Sequence, residues 1–169
     1  MNERSERIAI CPGSYDPVTN GHLDIIRRAA RVFDRIVVGV VDVQIRKREP
    51  IFTAAERKGF IEDALADNGL DNVEVDVFSN LLVEFARQHG AKVIVKGLRA
   101  ISDFEYEFEM NQLNHTLAPD IESVFILASP DYSFIRSTGV KEMATFGGDV
   151  SELVPPNVVA ALNERLHGG

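Results

Sequence analysis

The feature that most constrains this chain is a set of short runs in which apolar, often β-branched residues follow one another with little alternation. They are Arg7–Cys11, Arg35–Val41, Val73–Phe78, Lys92–Val95 and Ser123–Leu127. A strand sends successive side chains to opposite faces, so a run that is apolar at both parities needs cover on both sides. The intervening segments have helical spacing. Leu23, Ile26, Ala30 and Phe33 fall on one stripe, and Thr53 with Glu56 makes a capping-box pattern whose helix stops by Gly69. A shorter helix spans Leu81 to His89 and ends at Gly90, and Ser102 with Glu105 suggests a second capping box, opening a helix that stops near Pro119. Two closing helices are expected, from about Ser137 to Thr145 and after Pro155-Pro156. The β–α alternation predicts right-handed crossovers and an α/β fold: a Rossmann-like, doubly wound, parallel five-stranded sheet with helices on both faces. At 169 residues the whole chain, 1–169, reads as a single domain.

Composition narrows the function classes. The formal net charge of −8 and a pI near 5.0 argue against a general nucleic-acid binder, which needs clustered cations for phosphate backbones. A small phosphorylated ligand held by a few local cations is compatible with that balance. One cysteine, Cys11, gives no intramolecular disulfide framework and no Cys-rich zinc site, and reads as a small buried residue on the first strand. The polar start shows no signal peptide, and the apolar stretch Ile36–Val41 is far too short to span a bilayer. The expectation is a cytoplasmic protein without membrane or nucleic-acid partners.

Open parallel sheets bind ligands beyond the carboxyl ends of their strands. Phosphate-type residues follow four of the five predicted strands: Pro12-Gly13-Ser14 the first, Arg46, Lys47 and Arg48 the second, Lys96-Gly97-Leu98-Arg99 the fourth, and Ser129 to Thr138 the fifth. Neither a G-x-x-x-x-G-K-[ST] loop nor a G-x-G-x-x-G turn is present, which disfavours a P-loop kinase or an ordinary dinucleotide dehydrogenase. Instead Gly13 permits close approach or an unusual dihedral, Ser14 supplies a hydroxyl, and Gly21-His22 stands where a helix begins. Free N–H groups there suit an anion, and His22 either adds a donor or caps its own helix.

The segment Pro-Gly-Ser-Tyr-Asp-Pro-Val-Thr-Asn-Gly-His22 resembles the first motif of the nucleotidyltransferase superfamily in its T-x-G-H form. With Lys96-Gly-Leu-Arg-Ala-Ile-Ser-Asp-Phe-Glu-Tyr-Glu107, Tyr132-Ser-Phe-Ile-Arg-Ser-Thr138 and Val140-Lys-Glu142, the chain from about Ile8 to Leu166 resembles the bacterial phosphopantetheine adenylyltransferases. That resemblance implies transfer of the adenylyl group of ATP to 4′-phosphopantetheine, giving dephospho-coenzyme A and pyrophosphate. It implies Mg2+ as cofactor, with no protein metal ligand assigned, a homohexamer, and feedback binding of coenzyme A.

The resemblance also assigns roles. His22, Lys96 and Arg99 are the expected catalytic residues. ATP is expected to meet Ser14, Tyr15, His22, Gly97, Leu98, Arg99 and Glu107, together with Tyr132, Ser133, Phe134, Ile135, Arg136, Ser137 and Thr138. The acceptor is expected to meet Ser14, Lys47, Leu82 and Lys96. This chain departs from the family pattern in three places. Lys96 stands where an arginine is usual and keeps the charge without the planar fork. The loop Asp42–Pro50 is about two residues longer, with Lys47 chosen as its substrate cation and Arg46 or Arg48 as substitutes. Arg136 replaces a common serine, either adding a phosphate contact or pointing to solvent.

The reaction needs no strong general base, because a phosphate monoester is already anionic near neutral pH; donors and cations aimed at the growing charge suffice. Other features read as structural. Glu105 and Glu109 belong to a solvated or subunit-facing surface, Phe108 and Met110 to core or interface, and Asp16 either binds metal or, the favoured reading, fixes the turn beside Pro17. His89, His115 and His167 share no ligand spacing. A sister nucleotidyltransferase is the nearest alternative, and a non-catalytic nucleotide-binding module the alternative of another class.

Overall fold

The computed structural model describes residues 6–42 and 49–168. Five strands alternate with helices: β1 (Ile8–Gly13), α1 (Asn20–Ala30), β2 (Arg35–Val41), α2 (Ala54–Ala66), β3 (Val73–Phe78), α3 (Leu82–Gln88), β4 (Val93–Leu98), α4 (Ile101–Leu117), β5 (Glu122–Leu127), α5 (Ser137–Thr145) and α6 (Pro156–His167). The strands are parallel in the order β3-β2-β1-β4-β5, so the chain reverses its direction of travel across the sheet between β1 and β4. That is the switch point at which such sheets open a crevice.

The double parity of the apolar runs is explained by two cores. Ala9, Cys11, Ile36, Val38, Val40, Val75 and Val95 face α1, α2, α5 and α6, while Ile10, Val37 and Ile94 face α3 and the α4–β5 connection. Gly39 belongs to the second face. A Cβ there would lie 2.7 Å from the Phe85 ring and 3.1 Å from that of Phe78, two rings stacked 4.5 Å apart.

Local signals hold in part. Thr53 and Glu56 form the expected capping box, and Gly90, at φ 68°, closes α3 in a Schellman arrangement with Gly90 N–H donating to Arg87 O and Ala91 N–H to Ala86 O. The second capping box does not form: α4 starts after Ala100 with no side-chain cap, and Asp103 in its first turn accepts from the Arg99 N–H instead. On α1 the buried residues are Leu23, Ile26 and Ala29, with Ala30 and Phe33 packed at the margin and Phe33 beyond the helix end. Phe108 is 51% exposed and therefore not core; α4 has no buried residue at all.

Ala at position 39 would force the two aromatic rings apart in a close-packed face. Gly39→Ala is expected to cost roughly 1–3 kcal/mol, read as a lower urea midpoint at unchanged slope.

Candidate active site

The turn after β1 is shaped by Tyr15, which takes the left-handed backbone conformation at φ 49°. For a non-glycine residue this is strained by about 1–2 kcal/mol. The strain is held by burial of the ring, by the hydroxyl donating to Cys11 O at 2.8 Å, and by edge contact with His22 at 5.0 Å. Gly13 resolves to close approach, since a Cβ there would stand 2.9 Å from the Tyr15 ring. Burial lifts the Cys11 thiol to about 12, so it stays protonated and inert, as a packed core residue should.

His22 turns out to cap and to be available as a donor at once. It is the third residue of α1, and its Nδ1 accepts the Thr19 N–H at 3.0 Å while its own N–H donates to Thr19 Oγ1 at 3.3 Å. An imidazole whose Nδ1 accepts carries its proton on Nε2, so the cap fixes the tautomer that presents a donor. Loss of solvation and, second, the Arg99 guanidinium lower its pKa to about 4, leaving the ring neutral near neutral pH.

Arg99 is oriented in turn. Its Nε and Nη2 donate to Asp103 at 3.1 and 3.3 Å, and Nη1 donates to Ile135 O at 3.1 Å, joining the end of β4 to the 132–138 loop. That loop is laced to the first motif at both ends. Ser129 Oγ donates to Asp24 of α1 at 2.7 Å, and Ser137 Oγ donates to Pro17 O at 2.9 Å. In between, Tyr132 O lies 3.5 Å from where a Gly21 Cβ would stand. Ser14, Tyr15, His22, Gly97, Leu98, Arg99 and the Tyr132–Thr138 loop thus meet at one rim of the sheet.

Lys96 reaches the same strand end from the other face. It alternates with Val95 toward α4 and pairs with Glu107, Nζ to Oε2 at 3.3 Å. Leu82 opens α3 beyond the end of β3 and packs against the second core. Phe134 and Arg136 are exposed, and Lys47 with Arg46 and Arg48 lies outside the described residues. Asp16 fixes the turn, with Oδ1 accepting from Phe52 N–H at 3.0 Å and Oδ2 from Ile51 N–H at 3.1 Å and Lys141 Nζ at 2.9 Å. Among the described residues no three His, Cys, Asp or Glu side chains are placed to hold a metal.

Sequence reasoning missed two anchors. Arg57 is buried on α2 and donates to Ser14 O, Val41 O and Phe52 O. Its signal was legible: it interrupts the apolar row Ala54, Ile61, Ala64 and Leu65, at a helix position where a charge must find partners. Asn20 is the other, its N–H donating to Leu153 O at 2.9 Å and its side chain to Glu152 O, which ties the start of α1 to the segment before α6. Nothing in local spacing marks that long-range contact.

A family model described as cytidylyltransferase-like matches residues 10–143. The chain is similar to the phosphopantetheine adenylyltransferase of Rubrobacter xylanophilus, 54% identical over 93% of each chain. It is 48% identical to that of Alkaliphilus metalliredigens, over 94% of this chain and 99% of the relative. Among solved structures, a bifunctional NMN adenylyltransferase/ADP ribose pyrophosphatase from Francisella tularensis superposes with a TM-score of 0.71 at 15% identity, over 94% of this chain and 49% of that one. At such identity the likeness concerns the fold.

The His22 environment has a pH consequence. Its folded pKa of about 4 lies below the ordinary 6.5, so on acidification the unfolded chain takes up this proton first. The stability this residue contributes is whole above pH 6.5 and is lost as the pH falls toward 4, by up to about 3 kcal/mol. An NMR titration is expected to show the His22 ring neutral from pH 8 to below pH 5.5, and His22→Gln to remove this component from the pH dependence of unfolding.

Proposed function

The chain belongs to the phosphopantetheine adenylyltransferases, within the cytidylyltransferase-like family, and we propose that as a single catalytic domain it transfers the adenylyl group of ATP to 4′-phosphopantetheine, giving dephospho-coenzyme A and pyrophosphate. The observation that carries the mechanism is the meeting of a neutral imidazole donor, a braced guanidinium and the 132–138 loop at one strand-end rim.

The acceptor phosphate attacks the α-phosphorus of ATP in line, the new P–O bond forms as the bond to the β-phosphate oxygen breaks, and pyrophosphate leaves with the electron pair. Charge accumulates on the oxygens around the α-phosphorus. A fixed Nε2–H on His22 and the Arg99 cation stabilise that charge without having to reorganise. Neutrality of His22 suits this role, since it donates without acting as an acid. Lys96 is assigned to the acceptor phosphate and Glu107 to the nucleotide, with Ser14 between the substrates. Leu82 lines the pantetheine arm, and Lys47 adds a cation. Mg2+ supplies neutralisation of the triphosphate. The residues present fit an ion carried chiefly by phosphate and water, because both Asp16 oxygens are committed to N–H groups and Lys141, and among the described residues no cluster of three His, Cys, Asp or Glu side chains is placed to hold it.

Assembly as a homohexamer is supported by an apolar surface that the chain leaves uncovered. Ile101 (86% exposed), Phe104, Phe108, Leu113 and Leu117 on α4 are exposed, as are Val124 and Leu127 of the edge strand β5. Sedimentation is expected to give six times the 18.7 kDa chain mass. Cytoplasmic location and feedback binding of coenzyme A belong to the same reading; among the described residues no helix is long and apolar enough to cross a membrane.

Pyrophosphate release with ATP, Mg2+ and 4′-phosphopantetheine is the direct assay. Product with nicotinamide mononucleotide as acceptor, and none with 4′-phosphopantetheine, would instead indicate a sister transferase. His22→Gln keeps a Thr-x-x-Gln capping box while removing the ring, so kcat is expected to fall roughly 10²–10³-fold with the melting temperature nearly unchanged. His22→Ala is expected to lose the same activity and about 1 kcal/mol of stability besides.

A further inference from the structure

The reaction described above leaves one buried cation without a task. Arg57 is 3% exposed, and its nearest carboxylate, on Asp42, is 3.9 Å away and mostly in water. A charge buried without a close buried counterion is costly unless its hydrogen bonds are complete. Here the bonds run to the main chain of three segments. Nε donates to Phe52 O at 3.0 Å, and Nη1 donates to Ser14 O at 2.6 Å and Val41 O at 3.0 Å. The fork of a guanidinium is the side chain suited to serve three fixed acceptors at once.

The partners share one location. The Phe52 peptide N–H is taken by Asp16 and its flanking carbonyl by Arg57, so the two side chains close on the chain just before α2 from both sides. Asp16 also accepts from Ile51 N–H and from Lys141 on α5. The Ser14-Tyr15-Asp16 turn is thereby clasped to the end of β2, to the entry of α2 and to α5. Ser14 is exposed at the rim, while its carbonyl is held from beneath at the shortest of the three Arg57 bonds.

We propose that Arg57 is a positioning residue for adenylyl transfer: by anchoring the Ser14 carbonyl it fixes the direction in which Ser14 presents its hydroxyl to the acceptor phosphate. The proposal rests on the reading of Ser14 as a substrate contact, and the test separates the two. Arg57→Lys keeps the charge and satisfies fewer of the carbonyls. Steady-state kinetics are measured for Ser14→Ala, Arg57→Lys and the double variant, with ATP affinity determined separately by equilibrium binding, at a temperature where thermal melts show all three folded.

Each single change is expected to lower kcat/KM for 4′-phosphopantetheine roughly tenfold, and Arg57→Lys to alter ATP affinity no more than Ser14→Ala does. The double variant is expected to be no worse than Ser14→Ala alone, because groups acting through one another are not additive. Losses that multiply, an Arg57→Lys enzyme with parental kinetics, or a loss of ATP affinity in Arg57→Lys beyond that in Ser14→Ala overturn the positioning role while leaving Ser14 in place. Parental kinetics in Ser14→Ala overturn the Ser14 reading and the proposal with it. Should Arg57→Lys not fold, the unaltered protein carries the test. Its Arg57 Nε–H resonance is expected to shift on titration with 4′-phosphopantetheine, and an unmoved signal rejects the idea.

Discussion

The constraint on which the rest of this structure depends is that β1 has parallel neighbours on both sides. With β2 on one edge and β4 on the other, the right-handed connections must leave to opposite faces of the sheet. The gap between them opens at the carboxyl ends of the strands, beside the turn after β1. Residues remote in sequence are delivered there by topology before any of their own chemistry matters. The first motif comes from below α1, the β4 end brings Arg99, and the loop after β5 is drawn over both by hydrogen bonds from Ser129 and Ser137.

Within that gap, structural and chemical duties fall on the same atoms. Thr19 donates its N–H to His22 Nδ1, which completes the helix start and assigns the ring its tautomer. Arg99 lowers the proton affinity of that ring and binds the Ile135 carbonyl. The strained Tyr15 backbone is stabilised by contacts its own ring makes with Gly13 and His22. A substitution in this region therefore perturbs position and reactivity together, and variants that preserve the hydrogen bond while changing the group are the informative ones.

Much of the fold was legible because strands covered on both faces leave an unmistakable apolar run; β2, β3 and α5 begin and end where the runs and caps place them. The motif segments also spoke for themselves, since Gly13, Ser14 and His22 sit at a strand-to-helix turn. The failures have physical causes. Ser102 and Glu105 have the spacing of a cap, yet Asp103 is drawn to Arg99, and α4 begins without one. Phe108 suits core or interface by its side chain alone, and only the fold, which leaves it 51% exposed on α4, excludes the first. Arg57 carries no motif, and only its place in the buried row of α2 sets it apart. Lys96 and Glu107 were given separate substrates by resemblance, and only the fold brings them into contact.

The bareness of α4 has an energetic consequence. Seventeen residues long, this helix has no fully buried residue. Helices gain most of their stability from packing an apolar face rather than from propensity. α4 also supplies Asp103 and Glu107, the carboxylates that brace Arg99 and Lys96. The two carboxylates that hold these cations therefore stand on a helix that burial within the chain does little to anchor, and their grip is only as firm as its margins.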